Sequence, residues 1–525
     1  MAPKVTIPTK RSRGILACFN GRLLYSCVLI ALSQVNFGSD QSAFGNTQAM
    51  PFFKRQFGTF NEATGTYDLD TVYLSLLNSI NYVDFMFGLV TGNLLSRQFG
   101  RRIALFIMCL WALTSAVNLV TSKHGVQIIV GRTVAYIYIG MELALVPVLQ
   151  SELAPAEVRG FVVGTYQQGM MCIAKIGALM MAVICRGTSD IDSHASWRIP
   201  LGLFFVIPSI LAVGIWWIPE SPRWLLLRNR PEEALTSLRL LREGRYTEQE
   251  TTDEFNEIQS ALNVTVESGS FGDLFEGTNR KRTFITVGTN VFLQLTGQNF
   301  SSVYGTIFIQ SLGTVNPFAM SCVLTATGFF MVLVTQLISD KSGRVPLLVS
   351  GAVIQTGALL TMGGLGTIPD PSDSIKNGIV SVSILFGAGF CLGWAPLSHV
   401  VAAEIPTTAL RDLTYAFGSV FNITIQFAVS FSIPYLLSPA YAGLGSKVGF
   451  IFGSTSFLAI LFAWFCIPDC GGKTLEEIDG LFLRGVSVRK FRTTSTETLG
   501  ADSEGHGDIE GAGKDQSMIK ETSVQ

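Results

Sequence analysis

Twelve stretches of about 20 mainly apolar residues recur along the chain, each long enough for a helix to cross a bilayer. They lie near residues 22–43, 71–94, 103–122, 125–149, 160–185, 197–217, 283–312, 316–338, 346–366, 377–401, 412–436 and 446–467. A backbone inside a bilayer has no water to bond, so such runs satisfy their own N–H and C=O groups as helices. The expected fold is therefore all-α: a polytopic membrane protein with twelve transmembrane helices. The first run is not a signal peptide, because it is long, carries Asp40 and has no small-residue cleavage site before the next run. Only 14% of the 525 residues are charged, against about 25% in an average soluble chain, and the mean hydropathy is +0.41. A soluble enzyme of this length needs a polar surface that these residues do not supply. Lys and Arg number 37 against 38 Asp and Glu, so no basic field exists to hold nucleic acid. The nine Cys and four His are scattered without CxxC pairs. Neither a metal site, a bound cofactor nor a disulfide framework is expected.

Charge sets the orientation. With the N-terminus in the cytoplasm, 28 of the 37 Lys and Arg fall on inside segments and seven on outside ones, leaving Arg132 and Lys175 within spans. Both termini are accordingly expected to be cytoplasmic. The chain divides into an N-terminal segment (1–21), a six-helix bundle (22–217), a charged linker with short helices (218–282), a second six-helix bundle (283–467) and a tail (468–525) that is largely disordered. Residues 44–69 form the sizeable outside loop.

The two bundles repeat a pattern. SRQFGRR (96–102) follows the second run and SDKSGR (339–344) the eighth; ELAPAEVR follows the fourth and EIPTTALR the tenth. Glu152 and Arg159 are thus seven apart, as are Glu404 and Arg411. Charges so placed, together with Arg101, Asp340 and Arg344, can pair at the inner helix ends and hold one gate closed until a conformational change separates them. A duplicated six-helix unit with charged inner hinges suits rocking-type alternating access.

At this point the chain resembles the sugar porter family of the major facilitator superfamily, over roughly residues 20–485. The resemblance is carried by Gly131-Arg132, PVLQSELAPAEVRG (147–160), PESPRWLL (219–226), QLTGQNFSSVYG (294–305), SDKSGR (339–344) and GKTLEEIDGLF (472–482). AAEIPTTALRDLTYAFG, IPYLLSP and LFLRGVSVRKF look most like fungal hexose and α-glucoside permeases.

Two charges lie at similar depth in the outer half of the membrane by helical rise: Asp40, in FGSDQSAFG, and Arg132 in the fourth span. The resemblance assigns them to proton coupling, with protonation of the acid loosening the pair; the alternative is a static ion pair that fixes helix packing. A sugar needs groups that both donate and accept. Gln167, Gln294, Asn299 and Asn422 stand where sugar porters place substrate-binding amides, while Gln298 is expected to point away. The family pattern departs at Leu293, Gly328 and His399, where a Gln, an Asn and an aromatic are usual, at Ser96, usually Asp, and at the closing PDCGG (468–472). His399 is a candidate donor to substrate or a proton site. Lys175, about 22 Å along the fifth span, either snorkels outward or meets an anionic substrate. Asp84 and Glu142 are further intramembrane acids with no partner evident in the sequence.

The resemblance implies a secondary active transporter rather than an enzyme. It would move a sugar or related polyol with protons across a plasma membrane, working as a monomer in the lipid bilayer. The alternatives are the same fold carrying a secondary metabolite or quinate-like acid, inward or outward, and a non-transporting nutrient receptor, which would need a longer tail than 468–525.

Overall fold

The structure, a computed structural model, describes residues 19–62, 65–263, 270–407, 410–471, 473 and 475–494. The side chains at 61, 156–171, 261, 263, 340, 475 and 476 lie outside the described residues. Among the candidates this takes in Arg159, Gln167 and Asp340.

Helices account for every predicted run. In chain order the spans are Gly21–Thr47, Thr71–Ser79 with Asn81–Phe99, Arg101–Val120, Gly125–Leu153, Ala156–Thr188 and Ala195–Trp217 in the first half. The second half holds Gly277–Leu295 with Gln298–Ser302 and Gly305–Leu312, then Pro317–Ser342, Arg344–Leu365, Asp373–Glu404, Arg411–Leu437 and Val448–Phe465. The chain is a helical membrane protein with twelve spans in two sets of six. Among the described residues, eight spans are long and apolar enough to cross a bilayer by composition alone; spans 1, 2, 5 and 7 are not among them. Three of those four concentrate buried polar groups: Gln34, Asn36 and Asp40 on span 1, Asn78 and Asn81 on span 2, and Asn290, Gln294 and Asn299 on span 7. Polar groups at membrane depth are tolerated where other helices enclose them.

The all-α expectation has one exception. In the 44–69 loop, Thr59–Asn61 and Thr66–Asp68 form a two-stranded antiparallel hairpin with Thr59 opposite Asp68. This end of the bundle is the hairpin face. At the opposite end, the linker face, short helices Pro222–Leu227, Pro231–Arg242 and Glu248–Asn263 pack around Trp224, Leu225, Ala234 and Leu238. Arg242 is 1% exposed; it pairs with Glu254 (2.8 Å) and donates to the Leu153 carbonyl at the end of span 4 (3.0 Å), tying the linker to the first half. The early part of the tail is helical. Leu475–Leu483 is a helix whose Asp479 pairs with buried Arg282, and the guanidinium lies 4.3 Å over the Phe482 ring. The apolar residues Ile478, Leu481 and Phe482 are buried against the second half, which explains why this stretch folds.

Candidate functional site

Span 1 and span 4 bring Asp40 and Arg132 together inside the first half. Arg132 Nη1 donates to Asp40 Oδ2 at 2.8 Å, and the two side chains are 4% and 0% exposed. The guanidinium lies 3.8 Å over the Phe44 ring and 4.9 Å over Tyr136, so aromatic faces stand where water would otherwise solvate the cation. Among the described residues the buried Asp40 Oδ1 has no hydrogen-bond partner. That leaves an acceptor position open on a carboxylate whose other oxygen holds the arginine. Tyr136 OH accepts from Gln41 Nε2 (2.9 Å), and its ring meets Tyr82 edge-on at 5.8 Å.

Span 7 breaks in its middle, and the break presents the amides. Gly297 has φ +89°, a left-handed conformation that side chains rarely adopt, and a Cβ there would lie 2.7 Å from the Phe452 ring. The helix restarts at Gln298, which turns Asn299 inward. Asn299 Nδ2 donates to Tyr82 OH on span 2 (3.3 Å) and to the Gln426 carbonyl on span 11 (3.4 Å). Before the break, Gln294 Nε2 donates to Asn422 Oδ1 (3.0 Å), whose Nδ2 donates to Asn290 Oδ1 (3.0 Å). Three of the four expected amides therefore line neighbouring helices, and the side chain of the fourth, Gln167, lies outside the described residues. Gln298 donates to Ser302 (3.4 Å) and does not join the cluster. His399 is half-buried on span 10, and no hydrogen bond of its side chain is found among the described residues.

Contacts between the halves gather toward the hairpin face. Thr71 donates to Ser438 (3.1 Å), Ser75 to the Phe431 carbonyl (3.0 Å) and Ser430 to the Asn78 carbonyl (3.0 Å). Thr306 donates to Asn46 (3.0 Å) and Gln310 to the Ala49 carbonyl (3.1 Å). Deeper in, Cys172 Sγ donates to Gln336 Oε1 (3.0 Å) where span 5 meets span 8. The hairpin face is closed.

The charges at the linker face pair across adjacent spans within each half. Arg101 grips Glu152 with Nε and Nη2, both at 2.8 Å, and Arg344 Nη2 meets Glu404 at 2.9 Å. Each pair joins adjacent spans of one half, 3 to 4 and 9 to 10, and both are made while the hairpin face is closed. Arg411 does not pair with Glu404: its Nε and Nη2 are buried without partners among the described residues.

Several participants escaped the sequence reading. Asn290 was reachable, since it stands four residues before Gln294 and so on the same helical face. Tyr82, which links Asn299 to Tyr136, carried no local signal. Glu142 receives Gln34 Nε2 at 2.9 Å, so that intramembrane acid is hydrogen-bonded to span 1. Glu220 accepts the backbone N–H groups of Arg101 (3.0 Å) and Arg102 (3.2 Å) at the start of span 3, and burial pushes its carboxyl up against the pull of these bonds. In PDCGG, Asp469 serves span 9 in the same way, so the departure keeps the carboxylate. Its neighbour Cys470 is a buried thiol that desolvation pushes up to about 12, an inert core group.

The fold has close counterparts. The inward-open structure of the xylose transporter XylE from E. coli superposes with a TM-score of 0.70 at 21% identity, covering 87% of this chain and 99% of that one. The Saccharomyces cerevisiae hexose transporter HXT13 is 28% identical over 492 residues, 90% of this chain and 85% of the relative. The major facilitator-type transporter ecdD of Aspergillus rugulosus is 30% identical over 475 residues, 88% and 87%. The family model described as "Sugar (and other) transporter" matches residues 26–482. With the twelve-helix fold, the broken seventh span and the amide cluster already in place, that match covers most of the chain, which belongs to the sugar transporter family of the major facilitator superfamily.

Proposed function

We propose that the chain imports a sugar or related polyol together with protons, by alternating access, across a plasma membrane with both termini cytoplasmic, and that the monomer is the working unit. The linker face is then the inner side, and the closed hairpin face makes this the inward-facing arrangement. Hexose and xylose transport by HXT13 and XylE supports a monosaccharide-sized cargo.

One observation carries the coupling: an unbroken chain of contacts runs from Asp40 through Arg132, Tyr136 and Tyr82 to Asn299. Protonation of Asp40 at its open oxygen removes the charge that holds Arg132. The freed guanidinium falls back on Tyr136, and the Tyr82–Asn299 contact between the halves feels the shift. Proton binding and sugar binding thereby bias the same rearrangement. Descent of one proton through about 100 mV supplies roughly 2.3 kcal/mol, enough for about fortyfold accumulation of a neutral solute.

The deciding experiment is uptake of labelled hexoses, pentoses, polyols and glycosides in a transport-null host while external pH is varied. Accumulation that rises as external pH falls and collapses with a protonophore is expected. Equilibration that ignores both would mark a facilitative carrier instead.

A further inference from the structure

Lys175 sits on span 5 on the side that meets the second half. Among the described residues of this helix the exposed large apolar side chains are Ile176 (48%), Met180 (43%) and Val183 (56%); at 3.6 residues per turn Lys175 is rotated about a third of a turn from their centre. Its ammonium does not snorkel along the lipid face. Lys175 Nζ lies 3.5 Å from where a Cβ on Gly328 would be, and Cys391 Sγ lies 3.1 Å from the same point. The cation therefore lies in contact range of span 8 at Gly328, beside Cys391 of span 10. Gly328 is near the middle of the 26-residue span 8, so the charge rests close to the membrane midplane and between the two halves, the depth at which transporters of this build hold their cargo.

Among the described residues no acid balances it. Among the described residues Lys175 makes no hydrogen bond and no ion pair. The side chain that shares this space at Gly328, Cys391 on span 10, is a buried, uncharged thiol. Two intramembrane acids of the first half are engaged elsewhere, Asp40 by Arg132 and Glu142 by Gln34. An unpaired ammonium at this depth is costly, and the cost is recovered when the ligand brings the counter-charge.

We propose that Lys175 is the anion-recognising residue of the cargo site and that the substrate class includes polyhydroxy monocarboxylates, with the hydroxyls read by the Gln294, Asn299 and Asn422 cluster and the carboxylate by the ammonium. One cation matches one negative charge, which selects a carboxylate over a phosphate dianion. This rests on the reading of the chain as a sugar transporter and narrows its cargo.

The test uses the full-length protein in a transport-null host with labelled gluconate and galacturonate, beside glucose and xylose, for the wild type, Lys175→Gln and Lys175→Arg. Surface expression is measured in each. The wild type is expected to take up the acids. Lys175→Gln should raise the KM for the acids about tenfold or more, with the KM for any neutral sugar carried left within about twofold, and Lys175→Arg should retain acid uptake. Wild-type uptake of neutral sugars with neither uptake of nor competition by the acids overturns the inference and leaves sugar transport standing. Equal loss of acid and neutral uptake in Lys175→Gln at normal surface expression assigns the lysine a packing role and also overturns it. A wild type that carries none of the four overturns both readings.

Discussion

Asp469 occupies in the second half the place that Glu220 occupies in the first. Each carboxylate accepts the first backbone N–H of a span, Arg344 at 3.0 Å in one case and Arg101 at 3.0 Å in the other. The preceding glycines, Gly343 (φ +91°) and Gly100 (φ +98°), permit the approach: a Cβ would lie 2.2 Å from Asp469 Oδ2 or 2.7 Å from Glu220 Oε2. The repeated Gly-Arg of the two loops is thus one device used twice. The glycine admits a carboxylate to the positive end of a helix, and the arginine reaches the glutamate at the end of the next span.

Removing that cap should loosen the linker face. Asp469→Ala is expected to cost about 0.5–2 kcal/mol, the usual price of a lost N-cap, and to lower the melting temperature of the detergent-solubilised protein. Asp469→Glu, which restores the residue type found at Glu220, should recover most of the loss. Equal melting of Asp469→Ala and wild type would remove Asp469 from the set of stabilising contacts.

Asp40→Asn keeps the size of the side chain and its ability to accept from Arg132 but cannot cycle a proton. Uphill accumulation, about fortyfold at 100 mV for a neutral solute, should fall to simple equilibration while exchange of labelled for unlabelled substrate continues. Accumulation against a gradient in this variant would place coupling elsewhere.

The amide cluster should bind substrate through linked groups. Alanine at Asn299, Gln294 or Asn422 is expected to raise the apparent Kd about tenfold, from about 1–3 kcal/mol per unsatisfied partner. Because Gln294 and Asn422 bond each other, the double variant should cost less than the two single losses added. Strict additivity, read by isothermal titration or tryptophan quenching, counts against a shared site.

Glu152→Gln and Glu404→Gln break clamps that lie inside single halves. Both should lower turnover several-fold with substrate affinity within about twofold, because a half that rocks as a body transmits motion only if its spans stay joined. Arg411 is different. With buried N–H groups that find no partner among the described residues while the hairpin face is closed, it is poised for a partner that arrives when the linker face closes. Arg411→Gln should therefore increase labelling of a cysteine placed in the linker-face vestibule; unchanged labelling would show that this arginine does not help to close that face.

The positions of the spans, their number and the depth of polar groups along them were legible in the sequence, because a bilayer demands about 20 apolar residues and a helix advances 1.5 Å per residue. That is why Asp40 and Arg132 could be matched before any contact was known, and why Gln294, Asn299 and Asn422 could be placed near mid-membrane. Depth along an axis is a one-dimensional quantity. Which way a side chain turns, and what it meets, depends on how the helices pack against one another. Packing alone decided that Glu142 meets Gln34, that Tyr82 bridges Asn299 to Tyr136, that Glu404 takes Arg344 instead of Arg411, and that the ammonium of Lys175 lies beside Gly328. Each of these contacts joins residues from 54 to 217 positions apart, or separates two that are seven apart. Their partners are chosen by the azimuth and tilt of whole helices, which no local spacing records.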